Sequence, residues 1–277
     1  MSMTNVPPIR RNRTTMKIIT TAKRVPDTTD VKTDPKTGVM IRTGIPTIVN
    51  PDDMNALEAA LRLRDQVGGD STVTTVTMGR NETKIRVHEL LGMGADHSVL
   101  LSDRCFGGAD TLVCSRTLAA GIEKIGGYDL IITGHQAIDG DTAQVGPEIA
   151  RRLGIPSISC VCALELVDER TLRVTRELDD GTETLEVGLP CLITVTGKLN
   201  EPRYMTIHNI VDSFEMEDEK LTVWDHEDIG LAVEECGLKA SPTQVVKTFS
   251  PQPKGAGEML PDAATLASRL AERHLVK

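Results

Sequence analysis

A polar, glycine-bearing segment at residues 134–147 has residue types suited to binding a phosphate. It reads G-H-Q-A-I-D-G-D-T-A-Q-V-G-P and directly follows the apolar run at 129–133. That run predicts a buried parallel strand, and residues 141–153 predict a helix with Asp141 and Thr142 at its N-cap. The turn between them would combine free backbone N–H groups with the positive end of a helix dipole. The pattern indicates a phosphate cradle, although an ordinary strand-to-helix turn fits it equally well.

The spacing of the glycines excludes the two commonest phosphate-binding motifs. Neither G-x-G-x-x-G nor G-x-x-x-x-G-K-[ST] occurs in the chain, which rules out the standard Rossmann fingerprint and the Walker loop. The Thr142 hydroxyl and the Gln144 amide are further donors for a phosphate. His135 either adjusts a bound group or packs as an ordinary loop residue, and the residues alone leave both open.

Composition narrows the class of protein. The chain has 277 residues, 39% hydrophobic and 2% aromatic, with a net charge of −9. This acidic balance argues against a nucleic-acid surface, and no apolar run is long enough to span a bilayer. The six cysteines form no C-x-x-C pattern, and no histidine pair has zinc spacing. They predict reduced thiols in a cytoplasmic protein without a metal site.

The elements that would position the loop alternate between strands and helices. This alternation predicts an α/β fold with a mostly parallel sheet and right-handed crossovers. Strand-like runs between residues 159 and 196, with a turn at 179–181, predict added β-hairpin strands. The predicted strands of the parallel part are 18–21, 72–78, 98–101 and 129–133, and the predicted helices begin after Asn50 and span 82–91 and 110–125.

Five short segments, in this order along the chain, resemble the β (small) subunit of electron transfer flavoproteins. The resemblance covers roughly residues 16–277, and L-N-E-P-R-Y is its most specific part. The segments are K-R-V-P-D at 23–27, N-P-D at 50–52, M-G-A-D at 93–96, Q-A-I-D at 136–139 and L-N-E-P-R-Y at 199–204.

The resemblance implies a heterodimer of α and β subunits, in which the β subunit has an adenine-nucleotide-binding, Rossmann-like fold without the usual glycine fingerprint. In ordinary members the β-bound nucleotide is a structural AMP, and the single redox FAD lies mainly in the α subunit. The positions that match the family's nucleotide contacts are Ala22, Lys23, Val25, Asn50, Met78, Gly134, Gly140, Asp141, Thr142, Ala143, Gln144 and Val145.

At one segment the chain departs from ordinary members and resembles the electron-bifurcating branch of the family. In that branch a second FAD replaces AMP. Residues 139–146 read D-G-D-T-A-Q-V-G where ordinary members resemble D-D-D-x-x-Q-T-G. Gly140 removes a side chain and a negative charge beside the phosphates, which suits a diphosphate passing close to the backbone. Asp110 and Thr111 belong to a second segment of this branch, F-G-G-A-D-T at 106–111. They either cap a helix or approach an NADH phosphate, and capping is slightly favoured because an acid repels phosphate.

The function implied by this branch is flavin-based electron bifurcation. NADH would reduce the β-bound FAD, one electron would pass through the α-bound FAD to an acyl-CoA dehydrogenase or a quinone reductase, and the other would pass to ferredoxin or flavodoxin. The flavin supplies the redox chemistry, so we expect no catalytic side chain and activity only together with the α subunit and a partner dehydrogenase.

The alternative is an ordinary one-electron carrier with AMP. An ATP pyrophosphatase would need S-G-G-x-D-S after the first strand, which is missing, and a regulatory module would not account for L-N-E-P-R-Y.

The segment after residue 198 matches the family's partner-recognition loop. Its predicted residues either meet the partner dehydrogenase or, for Ile207 and the nearby Ile210, simply pack inward. The stretch V-D-S-F at 211–214 replaces a lysine-rich stretch of many ordinary members, which leaves the range of partners open. The predicted recognition residues are Leu199, Asn200, Glu201, Pro202, Arg203, Tyr204 and Ile207.

These observations divide the chain into three predicted regions. Residues 1–15 predict a disordered extension, because the arginines at 10, 11 and 13 are not followed by the apolar stretch of a leader peptide. Residues 16–240 predict the nucleotide- and flavin-binding α/β domain. Residues 241–277 predict an extended, proline- and glycine-rich arm with a short helix, either packed on the α subunit or flexible.

Overall fold

A computed structural model describes residues 15–27, 45–243, 245–246, 255 and 257–276. The described residues up to 243 form one compact unit, and those from 245 onward belong to a second. The predicted N-terminal extension, apart from its last residue, and much of the predicted arm lie outside the described residues. None of the helices formed by the described residues is both long and apolar enough to cross a membrane.

The first unit is built on a sheet whose strands are mostly parallel. Among the described residues this sheet has nine strands, in the order β11-β5-β4-β1-β6-β10-β7-β8-β9. Neighbours from β11 to β7 are parallel, whereas β7, β8 and β9 form an antiparallel meander, and β2 and β3 form a separate antiparallel pair. The strands are β1 Lys17–Thr21, β2 Arg24–Pro26, β3 Thr47–Val49, β4 Thr72–Met78, β5 His97–Leu101, β6 Leu130–Gly134, β7 Ser157–Asp168, β8 Thr171–Leu178, β9 Gly181–Gly188, β10 Cys191–Val195 and β11 Leu221–Trp224.

Helices cover both faces of this sheet. Because successive strand residues point to opposite faces, β1 contributes to two cores. On β1, Ile18 packs in a core with Leu57, whereas its neighbour Ile19 packs in a second core with Ile122. This arrangement confirms the predicted α/β fold with a mostly parallel sheet. The helices of the first unit are α1 Pro51–Val67, α2 Lys84–Met93, α3 Thr111–Ile125, α4 Val145–Leu153, α5 Ile207–Glu215, α6 Glu217–Lys220 and α7 Gly237–Ala240, and the second unit contains α8 Ala263–Glu272.

Helix α4 begins four residues later than the sequence predicts, so the prediction of Asp141 and Thr142 as its N-cap was wrong. Asp141 and Ala143 have left-handed backbones, with φ of 47° and 53°, and cannot start a right-handed helix there. The N–H groups of Gly140 and Asp141 instead close a turn on the Ala137 carbonyl, at 3.1 and 2.9 Å. Gln144 occupies the N-cap position without a side-chain cap.

Candidate functional site

The predicted nucleotide residues gather where the strand order of the sheet reverses. From β1 the chain proceeds outward through β4 and β5, then returns to the other side of β1 with β6 and β10. Ligands of open α/β sheets bind outside the carboxyl ends of the strands at such a reversal. The segment after β1 and the loop of residues 135–144 after β6, called the β6–α4 loop below, lie at this point.

Asn50 joins these two segments. Its backbone N–H donates to the Lys23 carbonyl at 2.9 Å. Its side-chain amide donates to the Gln136 carbonyl at 2.9 Å and accepts from the Ile138 N–H at 3.0 Å. Because Asn50 is fully buried, it acts on the loop by holding its backbone, and the structure gives this predicted contact residue a positioning role.

Asp53, which the sequence analysis did not single out, makes a second connection. One carboxylate oxygen accepts from the Lys23 N–H at 2.8 Å and the other from the Gly134 N–H at 3.2 Å. Burial raises the pKa of Asp53 to about 7, although hydrogen bonds from Lys23, Asn50 and Gly134 act in the opposite direction. A buried carboxyl group with a raised pKa therefore lies at the candidate site.

Gly134 allows the end of β6 to approach the first turn of α1 closely. A Cβ atom at this position would lie 2.9 Å from the carbonyl carbon of Asp52 and would overlap the carboxylate of Asp53. Residues with a side chain cannot occupy this position without displacing backbone. Gly134 matches a family contact, and the packing of β6 on α1 also requires a glycine at this position.

The β6–α4 loop has the backbone geometry of an anion-binding nest. Left-handed Ala143 is followed by right-handed Gln144, and alternation of this kind points successive N–H groups into one concavity. Among the described residues, the N–H groups of Thr142, Ala143 and Gln144 have no hydrogen-bond acceptor. The first turn of α4 adds the N–H of Val145, which has no intrahelical partner.

Charged and polar side chains surround this nest. The Lys23 ammonium, about half exposed, lies 2.6 Å from Asp139. The Thr111 hydroxyl donates to the side-chain oxygen of Gln144 at 2.9 Å, which brings the start of α3 to the loop. A ligand phosphate would find a half-exposed cation, a hydroxyl and several backbone donors here.

Four further predicted residues are buried, half-buried or engaged in a helix cap. Val25 is fully buried, so a ligand would meet its backbone, and Ala22 is also buried after β1. Met78 is half-buried at the end of β4, on the same edge of the sheet. Asp110 caps α3 by accepting from the Val113 N–H at 3.0 Å, and it also accepts from the Thr243 N–H at 3.1 Å.

His135 packs against its neighbours at the carboxyl end of β6. Its ring nitrogens lie 3.7 and 3.8 Å from the Cys160 sulfur, and Nδ1 lies 3.5 Å from the Thr194 hydroxyl. Burial raises the pKa of the Cys160 thiol, which does not favour a thiolate nucleophile. These contacts support the interpretation of His135 as a packed loop residue.

The predicted recognition segment is tied to α1 at two points. Asn55 and Asn200 exchange hydrogen bonds, with the side-chain amide of each donating to the other's backbone carbonyl at 2.7 and 3.0 Å. The Arg203 guanidinium lies 2.7 Å from buried Glu58 and 3.0 Å from Asp65. Asn200 and Arg203 therefore hold the segment in place, and half-buried Leu199 packs on the core.

The remaining part of this segment faces solvent. Tyr204 is 96% exposed and Ile207, the first residue of α5, is 83% exposed. The alternative that Ile207 packs inward was therefore wrong, whereas Ile210 does turn inward towards Gly92 of α2. Glu201 and Pro202 are also exposed.

Removal of the Arg203 side chain should loosen this segment. Burial raises the pKa of Glu58, but hydrogen bonds from Arg203 and Arg62 outweigh it, so the net pKa is below its usual value. We expect Arg203→Ala to lower the free energy of unfolding by about 1–3 kcal/mol, because a buried carboxylate loses a partner. Urea unfolding measures this loss. The matched control is Arg173→Ala, which breaks exposed ion pairs and should cost less than about 1 kcal/mol; equal losses would contradict the argument.

Comparison with known proteins adds an independent finding. A family profile described as "Electron transfer flavoprotein domain" matches residues 37–227. The chain is 51% identical to the "Caffeyl-CoA reductase-Etf complex subunit CarD" of Acetobacterium woodii and 47% identical to the "Electron transfer flavoprotein subunit beta" of Clostridium acetobutylicum. It is 39% identical to the "Acryloyl-CoA reductase electron transfer subunit gamma" of Anaerotignum propionicum. Each match covers 94% of this chain and the full length of the relative.

Proposed function

Because the chain belongs to the electron transfer flavoprotein family as a β subunit, we propose that it binds an FAD at the β6–α4 loop and takes part in flavin-based electron bifurcation. The family assignment confirms the resemblance seen in the sequence. The observation that carries the proposal is the nest at Ala143 and Gln144, which leads into the first turn of α4. It supplies donors for an anionic nucleotide without the glycine fingerprint.

The surroundings of Gly140 favour a diphosphate over a single phosphate. A Cβ at this position would meet nothing within 4 Å, so the loop is open to solvent beside the nest. An aspartate at the same position would place a second carboxylate there, next to Asp139. Its absence leaves space and lowers the negative charge that a second phosphate would meet.

The roles of the protein groups follow from their positions. The Lys23 ammonium would exchange Asp139 for a ligand phosphate, and the N–H groups of residues 142–145 would donate to phosphate oxygens. Asn50 and Asp53 hold the two flanking segments together. A bound FAD would supply the redox chemistry, accepting a hydride from NADH and releasing two single electrons.

Partners are proposed on the same basis. The α subunit would hold a second FAD that passes one electron to an acyl-CoA dehydrogenase or a quinone reductase, and ferredoxin or flavodoxin would take the other electron. Two relatives are named as subunits that serve caffeyl-CoA and acryloyl-CoA reductases, which favours a partner acting on acyl-CoA. Exposed Tyr204 and Ile207 are the residues proposed to meet that partner. Residues 241–277 are proposed to pack on the α subunit.

The second candidate is an ordinary one-electron carrier with AMP at the same loop. The donors of the nest and the Lys23 ammonium suit the single phosphate of AMP as well. In that case NADH would not reduce the heterodimer through this subunit.

The number of flavins in the heterodimer distinguishes the two candidates. We expect the chain, coexpressed with its α subunit, to contain two FAD per heterodimer and to oxidise NADH; one FAD with one AMP would overturn the proposal. Gly140→Asp should lower FAD occupancy of the β site about tenfold, since a new carboxylate would face the diphosphate. Gly181→Asp is the matched control, because Gly181 also lies in open space, at the β8–β9 hairpin, and should keep both flavins.

A further inference from the structure

A second group of chemically distinctive side chains lies outside the nucleotide site. A carboxylate oxygen of Asp103, the sulfur of Cys105 and a ring nitrogen of His226 all lie within 4.8 Å of one another. The Asp103 Oδ2 and His226 Nδ1 atoms are 2.7 Å apart. All three residues are half-buried, and Cys105 packs against the second apolar core, so the group is not a solvated surface cluster.

Cys236 is a second thiol beside this group. Its side chain is buried, its thiol interacts with that of Cys105, and it donates to the Ala232 carbonyl at 3.3 Å. Asp103 and Cys105 follow β5, and His226 follows β11, so two separate segments converge here.

The chemistry of these groups matches one class of ligand. One carboxylate, one imidazole and one thiol are donor types that Zn²⁺ prefers, whereas Mg²⁺ and Ca²⁺ prefer oxygen. Tetrahedral zinc with bonds of about 2.0–2.3 Å has ligand atoms roughly 3.3–3.8 Å apart. The three closest groups are therefore within about 1 Å of zinc-site separations, and the Asp103–His226 pair would open slightly to admit the ion.

We propose that Asp103, Cys105 and His226 bind a zinc-type divalent cation. The ion joins the turn between β5 and α3 to the segment between β11 and α7. The backbone already connects the same two segments, because the Leu238 N–H donates to the Gly107 carbonyl at 3.0 Å. No sequence motif predicts this site, since Cys105 and His226 belong to no C-x-x-C or paired-histidine pattern.

Metal analysis of the full chain, coexpressed with its α subunit and purified without a metal-chelating tag, tests this proposal. We expect about one zinc per chain, and reconstitution with Co²⁺ in place of zinc should give a thiolate-to-cobalt absorption band. Cys105→Ser and His226→Gln should each weaken metal binding at least tenfold. Cys162→Ser is the matched control, because its sulfur bonds the Thr175 carbonyl in the β7–β8 hairpin and should leave metal binding unchanged.

Two results would overturn the proposal. One is wild-type protein that holds less than a tenth of an equivalent of metal after reconstitution with excess Zn²⁺. The other is wild-type-like metal binding in Cys105→Ser or His226→Gln, which would assign the ion to other residues. Circular dichroism checks that each variant is folded. Because the two variants lie in different segments, the test still holds if one of them misfolds. Flavin content of the same samples reports on the nucleotide site separately.

Discussion

The free energy of unfolding of this protein is expected to fall by several kcal/mol as the pH rises from about 4 to about 7. Asp53→Asn is expected to abolish this pH dependence. Burial raises the pKa of Asp53 from 3.8 to about 7. The folded chain therefore holds this proton more tightly than the unfolded chain. The stabilisation is fully present below the unfolded pKa near 3.8 and is lost as the pH rises through about 7. Its size corresponds to roughly 4 kcal/mol.

Urea unfolding of wild type and Asp53→Asn across this pH range measures the effect. The asparagine cannot ionise, so the difference between the two proteins isolates Asp53. The variant also turns an amide group towards the Lys23 N–H or the Gly134 N–H, which costs about 1–3 kcal/mol at every pH. The informative quantity is therefore the change of the unfolding free energy with pH. Asp52→Asn, one residue earlier, should keep the wild-type pH dependence. Parallel curves for wild type and Asp53→Asn would contradict the prediction.

Gly134→Ala is expected to have the second large effect, on both stability and nucleotide content. The added Cβ would contact the Asp52 backbone at 2.9 Å and overlap Asp53, so the end of β6 must move away from α1. Overpacking of this kind costs about 1–3 kcal/mol. The movement also lengthens the Gly134–Asp53 hydrogen bond that positions the β6–α4 loop, and we expect nucleotide occupancy to fall at least tenfold.

Urea unfolding and the nucleotide released on denaturation measure these two losses. Gly140→Ala is the matched control on the same loop, because its Cβ would meet open space, and it should change stability by less than about 0.5 kcal/mol. Similar losses of stability in both variants would show that the close approach at Gly134 is not the cause of the destabilisation.

The sheet and the position of the β6–α4 loop were predictable because they depend on local patterns. The β-branched and apolar runs at β1, β4 and β6 are strands in the structure, and glycine after an apolar run correctly predicted the β6–α4 loop. The start of α4 was not predictable from capping residues. Asp141 and Thr142 suit an N-cap, but the turn at Ala137 and two left-handed residues override that preference.

The features that the sequence analysis missed depend on distant partners. Asp53 matters because it bonds Lys23, 30 residues away, and Gly134, 81 residues away. Helix α5 has only nine residues and rests on α2, where the rings of Phe214 and His88 stack at 3.9 Å. A short helix stabilised mainly by packing has a weak local signal.

Asp110 has a mechanical consequence for the whole first unit. One side chain accepts from Val113 at the start of α3 and from Thr243, the last described residue before the second unit. The same first turn of α3 carries Thr111, which contacts Gln144. A displacement of Thr243 that broke the Asp110 cap would cost about 1 kcal/mol and would loosen the turn that holds Thr111 against the nest.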